Sequence, residues 1–168
     1  MEGVSYHCDT CGERHEDLPD VGARYPDPYL DVPAAERAAR TALTPDSCIV
    51  RDEDGEHYFV RGVILLAIVG SAEALGIGAW VSQSRQNFER YVANEAKEPT
   101  MGWLVTRIRH YPETTYLLTA RLHFGDGVVR PTIELLPSAH PLAQEQHEGI
   151  SLRHAWEIVH HCMDHAPS

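Results

Sequence analysis

The sequence predicts an α+β domain, a mostly antiparallel sheet with peripheral helices and an N-terminal cysteine knuckle. Three observations lead there. Runs of strand-forming residues follow one another through short turns, which pairs neighbours antiparallel. Helix-type stretches lie beside these runs and do not alternate with them. The chain opens on Cys8-Asp9-Thr10-Cys11-Gly12.

At 168 residues the chain suits one domain, with a knuckle and extended arm over 1–32 and an α+β body over 33–168. In the arm, Pro19, Pro26 and Pro28 argue against regular helix. Pro33 suits a first helical turn and starts a short helix running to Arg40. Strands are expected over Ser47 to Arg51 and His57 to Val69, joined through the Asp54-Gly55 hairpin signal. Ile77 to Ser82 follows, and its Gly76 and Gly78 predict a bulge or a close approach of backbone. Ser84 caps a helix reaching about Glu95, with Phe88, Tyr91 and Val92 on one face. Strands over Gly102 to Ile108, Tyr116 to Phe124 and Thr132 to Leu136 come next. His140-Pro141 opens one further helix, and Ser151 caps the last, with its stripe of Leu152, Ala155, Trp156, Ile158 and Val159.

Composition narrows the function classes. The formal charge is −11 and Lys97 is the single lysine, so no basic stripe suited to nucleic acid is present. The acidic balance serves solubility or meets a basic partner protein. No apolar run reaches the ~18 residues of a membrane span, and Met1-Glu2-Gly3-Val4 does not begin a signal peptide. The cytoplasm is the expected location. With no secretory signal, Cys8, Cys11, Cys48 and Cys162 read as thiols or metal ligands and not as a disulfide framework.

Two cysteines spaced as Cys8 and Cys11 can share one tetrahedral zinc ion, and Gly12 can wrap the backbone around it. A thiol–disulfide pair is the alternative. It normally stands at a helix N-terminus, whereas Gly12 here leads toward Leu18-Pro19. One pair is half a metal site. His15, Cys48 and the C-terminal His160, His161, Cys162 and His165 are candidates to complete it, the last group lying at a fraying helix end.

The motifs taken together resemble a bacterial family, the domain-of-unknown-function family 2199. Those motifs are Cys8-Asp9-Thr10-Cys11-Gly12-Glu13-Arg14-His15, Asp46-Ser47-Cys48, Phe59-Val60-Arg61-Gly62 and Ala79-Trp80-Val81-Ser82. Gly102-Trp103-Leu104, Arg130-Pro131-Thr132-Ile133-Glu134-Leu135 and His140-Pro141-Leu142-Ala143 extend the likeness over nearly the whole chain. The resemblance implies no activity. It does imply a metal set of Cys8, Cys11, His15 and Cys48, with zinc as a structural staple.

Arg61, Glu134 and His140 are the candidate ligand-binding residues. Arginine forks bind carboxylates or phosphates, as Arg130 also could, and a carboxylate beside an imidazole supports acid–base chemistry. Structural ion pairs and helix caps explain the same residues, and no recognised catalytic motif accompanies them. The sequence therefore reads first as a non-catalytic, zinc-stabilised binding protein. A small enzyme or ligand-binding domain and a thiol–disulfide protein are the alternatives.

Overall fold

In the computed structural model, residues 6–7, 14–15, 18–125 and 129–164 are described. The strands are β1 (Tyr6–His7), β2 (Arg14–His15), β3 (Val21–Gly22), β4 (Thr41–Leu43) and β5 (Ser47–Asp52). They continue as β6 (Gly55–Ala67), β7 (Ala74–Gln83), β8 (Thr100–Trp103), β9 (Thr119–His123) and β10 (Thr132–Leu135). The helices are α1 (Asp27–Asp31), α2 (Arg37–Arg40), α3 (Arg85–Val92), α4 (Pro141–Glu148) and α5 (Leu152–Asp164).

The frame is the hairpin of β6 and β7, paired from Tyr58↔Gln83 to Ala67↔Ala74. Its period-two pattern decides the faces. Val60, Ile64 and Leu66 of β6 and Leu75, Ile77, Ala79 and Val81 of β7 enter the main core. Phe59 and Trp80 point the other way, into a second cluster with Val32, Cys48, Val50 and Val105. The main core is closed by Phe88 of α3, Leu142 and Ala143 of α4, and Ala155, Trp156, Ile158 and Val159 of α5.

The sheet is mixed, which corrects the expectation of a mostly antiparallel one. β10 runs parallel to β6 through Thr132↔Val63 and Ile133↔Ile64, and β3 runs parallel to β7. The reason lies along one edge of β6. β5 occupies that edge from Gly55 to Val60, and the Arg61 N–H still donates to the Asp46 carbonyl at 3.0 Å. From Gly62 onward β5 has turned away, and the chain returning from β9 fills the edge in the opposite sense. A side chain on Gly62 would strike the Pro131 carbonyl and Ile133, so the changeover needs a glycine.

The far end of the sheet returns to β7. Val81 bridges Leu104, Val105 N–H donates to the Trp80 carbonyl at 2.8 Å, and Trp103 N–H donates to Ser82 Oγ at 2.9 Å. The strand expected over Gly102 to Ile108 therefore divides, because Thr100–Trp103 pairs with β9 while the residues after it pair with β7. The strand expected from Tyr116 starts instead at Thr119, after Leu117 adopts φ 69°. The close approach foreseen at Gly76 and Gly78 is real. A side chain on Gly22 of β3 would strike the Gly78 backbone, and the Asp20 carboxylate covers Gly76.

Two parts of the arm and its neighbour depart from the reading of the sequence. α1 forms in a stretch expected to be extended, because Pro28 falls in the first turn, where no N–H is required. The helix expected after Pro33 is a 3₁₀ turn at Ala34–Glu36 followed by the single turn of α2. Ser84, His140 and Ser151 do cap α3, α4 and α5, accepting from Asn87, Leu142 and His154 N–H respectively. No helix among the described residues is long and apolar enough to cross a membrane.

Past Ile133, β10 loses its β6 neighbour, and α4 takes the vacant place. Gln146 Nε2 donates to the Ile133 carbonyl at 2.7 Å while its Oε1 accepts from Leu135 N–H at 2.6 Å. One side-chain amide thus stands in for a strand residue. Gln146→Leu removes both bonds and leaves two partly buried backbone groups unsatisfied. A loss of about 2 kcal/mol is expected in urea unfolding, with Gln146→Glu recovering less than half of it.

Candidate functional site

Arg61 sits in β6 opposite Trp80. Its Nη1 donates to the Pro45 carbonyl at 3.3 Å, and its buried Nε has no hydrogen-bond partner among the described residues. Burial first, then the positive charges of Arg130 and Arg24, hold its pKa below the usual arginine value. The opposing charge is Asp46, which accepts from Arg130 Nε at 2.7 Å.

Glu134 lies in β10 across from Arg121 and accepts from His123 Nε2 at 2.8 Å. That bond, helped by the charges of His123 and Arg121, keeps its carboxyl below the ordinary carboxylate range. The register places Glu134 level with Leu65, about 13 Å along the strands from Arg61. His140 is elsewhere again. Its Nδ1 accepts from Leu142 N–H at 3.0 Å, which leaves Nε2 to donate to the Glu113 carbonyl at 3.0 Å. That tautomer caps α4 and presents its edge toward Tyr111. The structure does not bring Arg61, Glu134 and His140 into one pocket.

Cys8 and Cys11 lie outside the described residues, as does the side chain of His15. Cys48 is fully buried among Val50, Phe59 and Trp80. Burial pushes its thiol up to about 12, so it stays protonated at neutral pH unless a cation stands beside it. Among the described residues no group of three His, Cys, Asp or Glu side chains is arranged to hold a metal ion.

The fold does assemble a polar network that the sequence reading did not identify. His154 of α5 contacts Glu145 Oε1 through Nε2 at 2.7 Å and Glu157 Oε2 through Nδ1 at 3.2 Å. Tyr111 donates to the other oxygen of Glu145 at 2.5 Å, and burial, helped by this bond, drives the phenol pKa strongly upward. His110 faces His161 with the two Nδ1 atoms 2.7 Å apart and lies edge-on to His154. The spacing of His154, Glu157 and His161 marks one face of a helix, a signal available in the sequence. Nothing local foretold that His110 would meet that face from a loop.

A family model described as "Uncharacterized protein conserved in bacteria (DUF2199)" matches residues 7–150. The chain belongs to this family. No curated protein and no solved structure matches it. The DUF2199 match covers Cys8, Cys11, His15, Cys48, Arg61, Glu134 and His140 and ends before α5. Arg24 and Arg130, which act on Arg61, lie inside the matched stretch. In the histidine network, His110, Tyr111 and Glu145 belong to that stretch, while His154 and His161 stand beyond it.

The His110–His161 contact has a defined pH sign. One imidazole donates and the other accepts, so a second proton places two donors face to face. Burial, followed by the charges of His154 and His161, lowers the His110 pKa below 6.5 against the opposing pull of Glu145 and Glu157. The unfolded chain therefore binds more protons at this site below the unperturbed value of about 6.5. Its contribution to stability is present above that value and is lost as pH falls through the lower folded pKa. Thermal unfolding between pH 7.5 and 5 should show wild type losing more stability than His110→Asn, and parallel curves would contradict the assignment.

Proposed function

We propose that the protein is a non-catalytic binding protein whose acidic surface receives a basic partner protein. What supports the reading is the open depression of 660 Å³ beside the β5–β6 hairpin, lined by Glu36, Arg40, Arg51, Asp52, Glu53 and Asp54. Its two cations are already committed. Arg40 donates to the Arg51 carbonyl and reaches Glu36 at 3.5 Å, while Arg51 pairs with Glu56 at 3.2 Å. Asp52 accepts from Asp54 N–H in the turn and contacts His57. Among the described residues, the Glu53 and Asp54 carboxylates have no ion-pair partner. A concave surface rimmed by free carboxylates, on a chain of charge −11, draws in and orients a lysine- or arginine-rich surface.

Charge pairing of this exposed kind weakens with salt. Partner capture at about 50 mM salt should fall away at about 500 mM, where screening extends only a few ångströms. The double variant Glu53→Lys, Asp54→Lys should lose the same partner while unfolding at an unchanged temperature. Capture that ignores both salt and the charge reversal would remove the proposal.

The reading also includes a structural zinc ion on Cys8 and Cys11, tying down the N-terminal arm. Cys48, packed in the second core cluster, is left out of the proposed ligand set in favour of the arm's own residues. Zinc bound to purified protein should be lost in Cys8→Ser and retained in Cys48→Ala. Retention in both would exclude zinc from the arm, and loss in both would make Cys48 a ligand.

A further inference from the structure

We propose that Arg61, with Arg24 and Arg130, forms a binding site for a phosphate group, as free phosphate or a small phosphate monoester, where β5 and β10 part along β6. The site is distinct from the acidic depression and opposite to it in charge.

The parting of the two strands creates the place. Arg61 N–H donates to the Asp46 carbonyl as β5 leaves, and Val63 N–H donates to the Pro131 carbonyl as β10 arrives, both at 3.0 Å. Asp46 and Arg130 are thereby brought face to face across the junction, with Arg130 Nε on Asp46 Oδ1 at 2.7 Å. Between them the Arg61 side chain crosses the sheet toward β7. A Cβ built on Gly78 would lie 3.9 Å from its Nη2. Arg24, on the segment following β3, brings in a third positive charge.

Hydrogen bonding and charge are both incomplete there. A guanidinium carries five N–H donors. Arg61 spends one on a long bond to Pro45, and its buried Nε meets no acceptor among the described residues. Arg24 has no ion-pair partner among the described residues either. Three guanidinium charges act together against the single carboxylate of Asp46. Of the charges that meet at Arg61, its own included, three are positive and one is negative, in a chain of net charge −11 where acidic side chains are plentiful. A tetrahedral phosphate dianion supplies two charges and enough acceptor oxygens for donors arriving from three directions, which a single planar carboxylate does not. Asp46 competes with such a ligand for Arg130.

The test is calorimetric titration of the full chain with sodium phosphate near neutral pH, with chloride holding ionic strength constant. Phenyl phosphate and succinate serve as parallel ligands. Saturable one-site binding of phosphate is expected, with about tenfold weakening in Arg61→Gln, the equivalent of one charge-assisted contact. Arg24→Gln should weaken binding several-fold without changing the melting temperature of the free protein. Asp46→Asn should tighten it. Stronger binding of phenyl phosphate assigns the site to a monoester, and equal or weaker binding assigns it to free phosphate. The proposal is overturned if phosphate binds no better than chloride, if succinate binds more tightly than phosphate, or if Arg24→Gln and Asp46→Asn leave the affinity unchanged. The last two variants keep the test decisive even where Arg61→Gln fails to fold.

Discussion

Everything in this fold depends on how one edge of β6 is satisfied. The strand runs thirteen residues, and β7 accompanies it along its other edge for most of that length. No single strand does so on the near edge. β5 covers the first part, β10 a short middle part, and Ile150 the end, where Val69 N–H donates to its carbonyl at 2.9 Å. Each buried N–H and C=O must find a partner, so these segments have to arrive in succession and at fixed positions. The parallel pairing of β10, the glycine at position 62 and the placement of α4 all follow from that requirement.

The same succession separates two kinds of surface. Where β5 and β6 stay together to their turn, they project Asp52, Glu53 and Asp54 outward, and the surface is acidic. Where they part, Arg61 is left with neighbours of its own sign. Behind both places the main core and the Trp80 cluster are packed on opposite sides of β6 and β7. Arg61 is therefore carried on a strand packed on both faces, while Asp52, Glu53 and Asp54 stand at its exposed turn.

What could be read from the sequence was what local chemistry determines. The β5–β6 turn was legible in Asp54-Gly55, the caps in Ser84, His140 and Ser151, and the core stripe of α5 in its three-to-four spacing. The close approach at Gly76 was legible because glycine inside a strand leaves a space that something else fills, here the Asp20 carboxylate. The parallel pairing was not legible, since Thr132 and Val63 meet across a long stretch of chain and no local signal encodes their register. For the same reason Arg61 was recognised as a donor fork, while its approach to Arg24 was not. Cys48 was ambiguous in the sequence, because a cysteine before an apolar strand suits a ligand and a core residue equally well; the fold shows it buried. Arg61, Glu134 and His140 were grouped by residue type, and the fold gives each a separate set of partners.

The amide of Gln146 has a consequence for the behaviour of many molecules together. Beyond Ile133, β10 would otherwise present a bare strand edge, the feature through which sheets of separate chains join. Gln146 occupies both the Ile133 carbonyl and the Leu135 N–H, and His147 contacts the Leu135 carbonyl at 2.8 Å. A second chain approaching that edge finds its hydrogen bonds already taken. Two side chains of one short helix thus keep a mixed sheet, with an end it does not pair, from becoming a template for assembly.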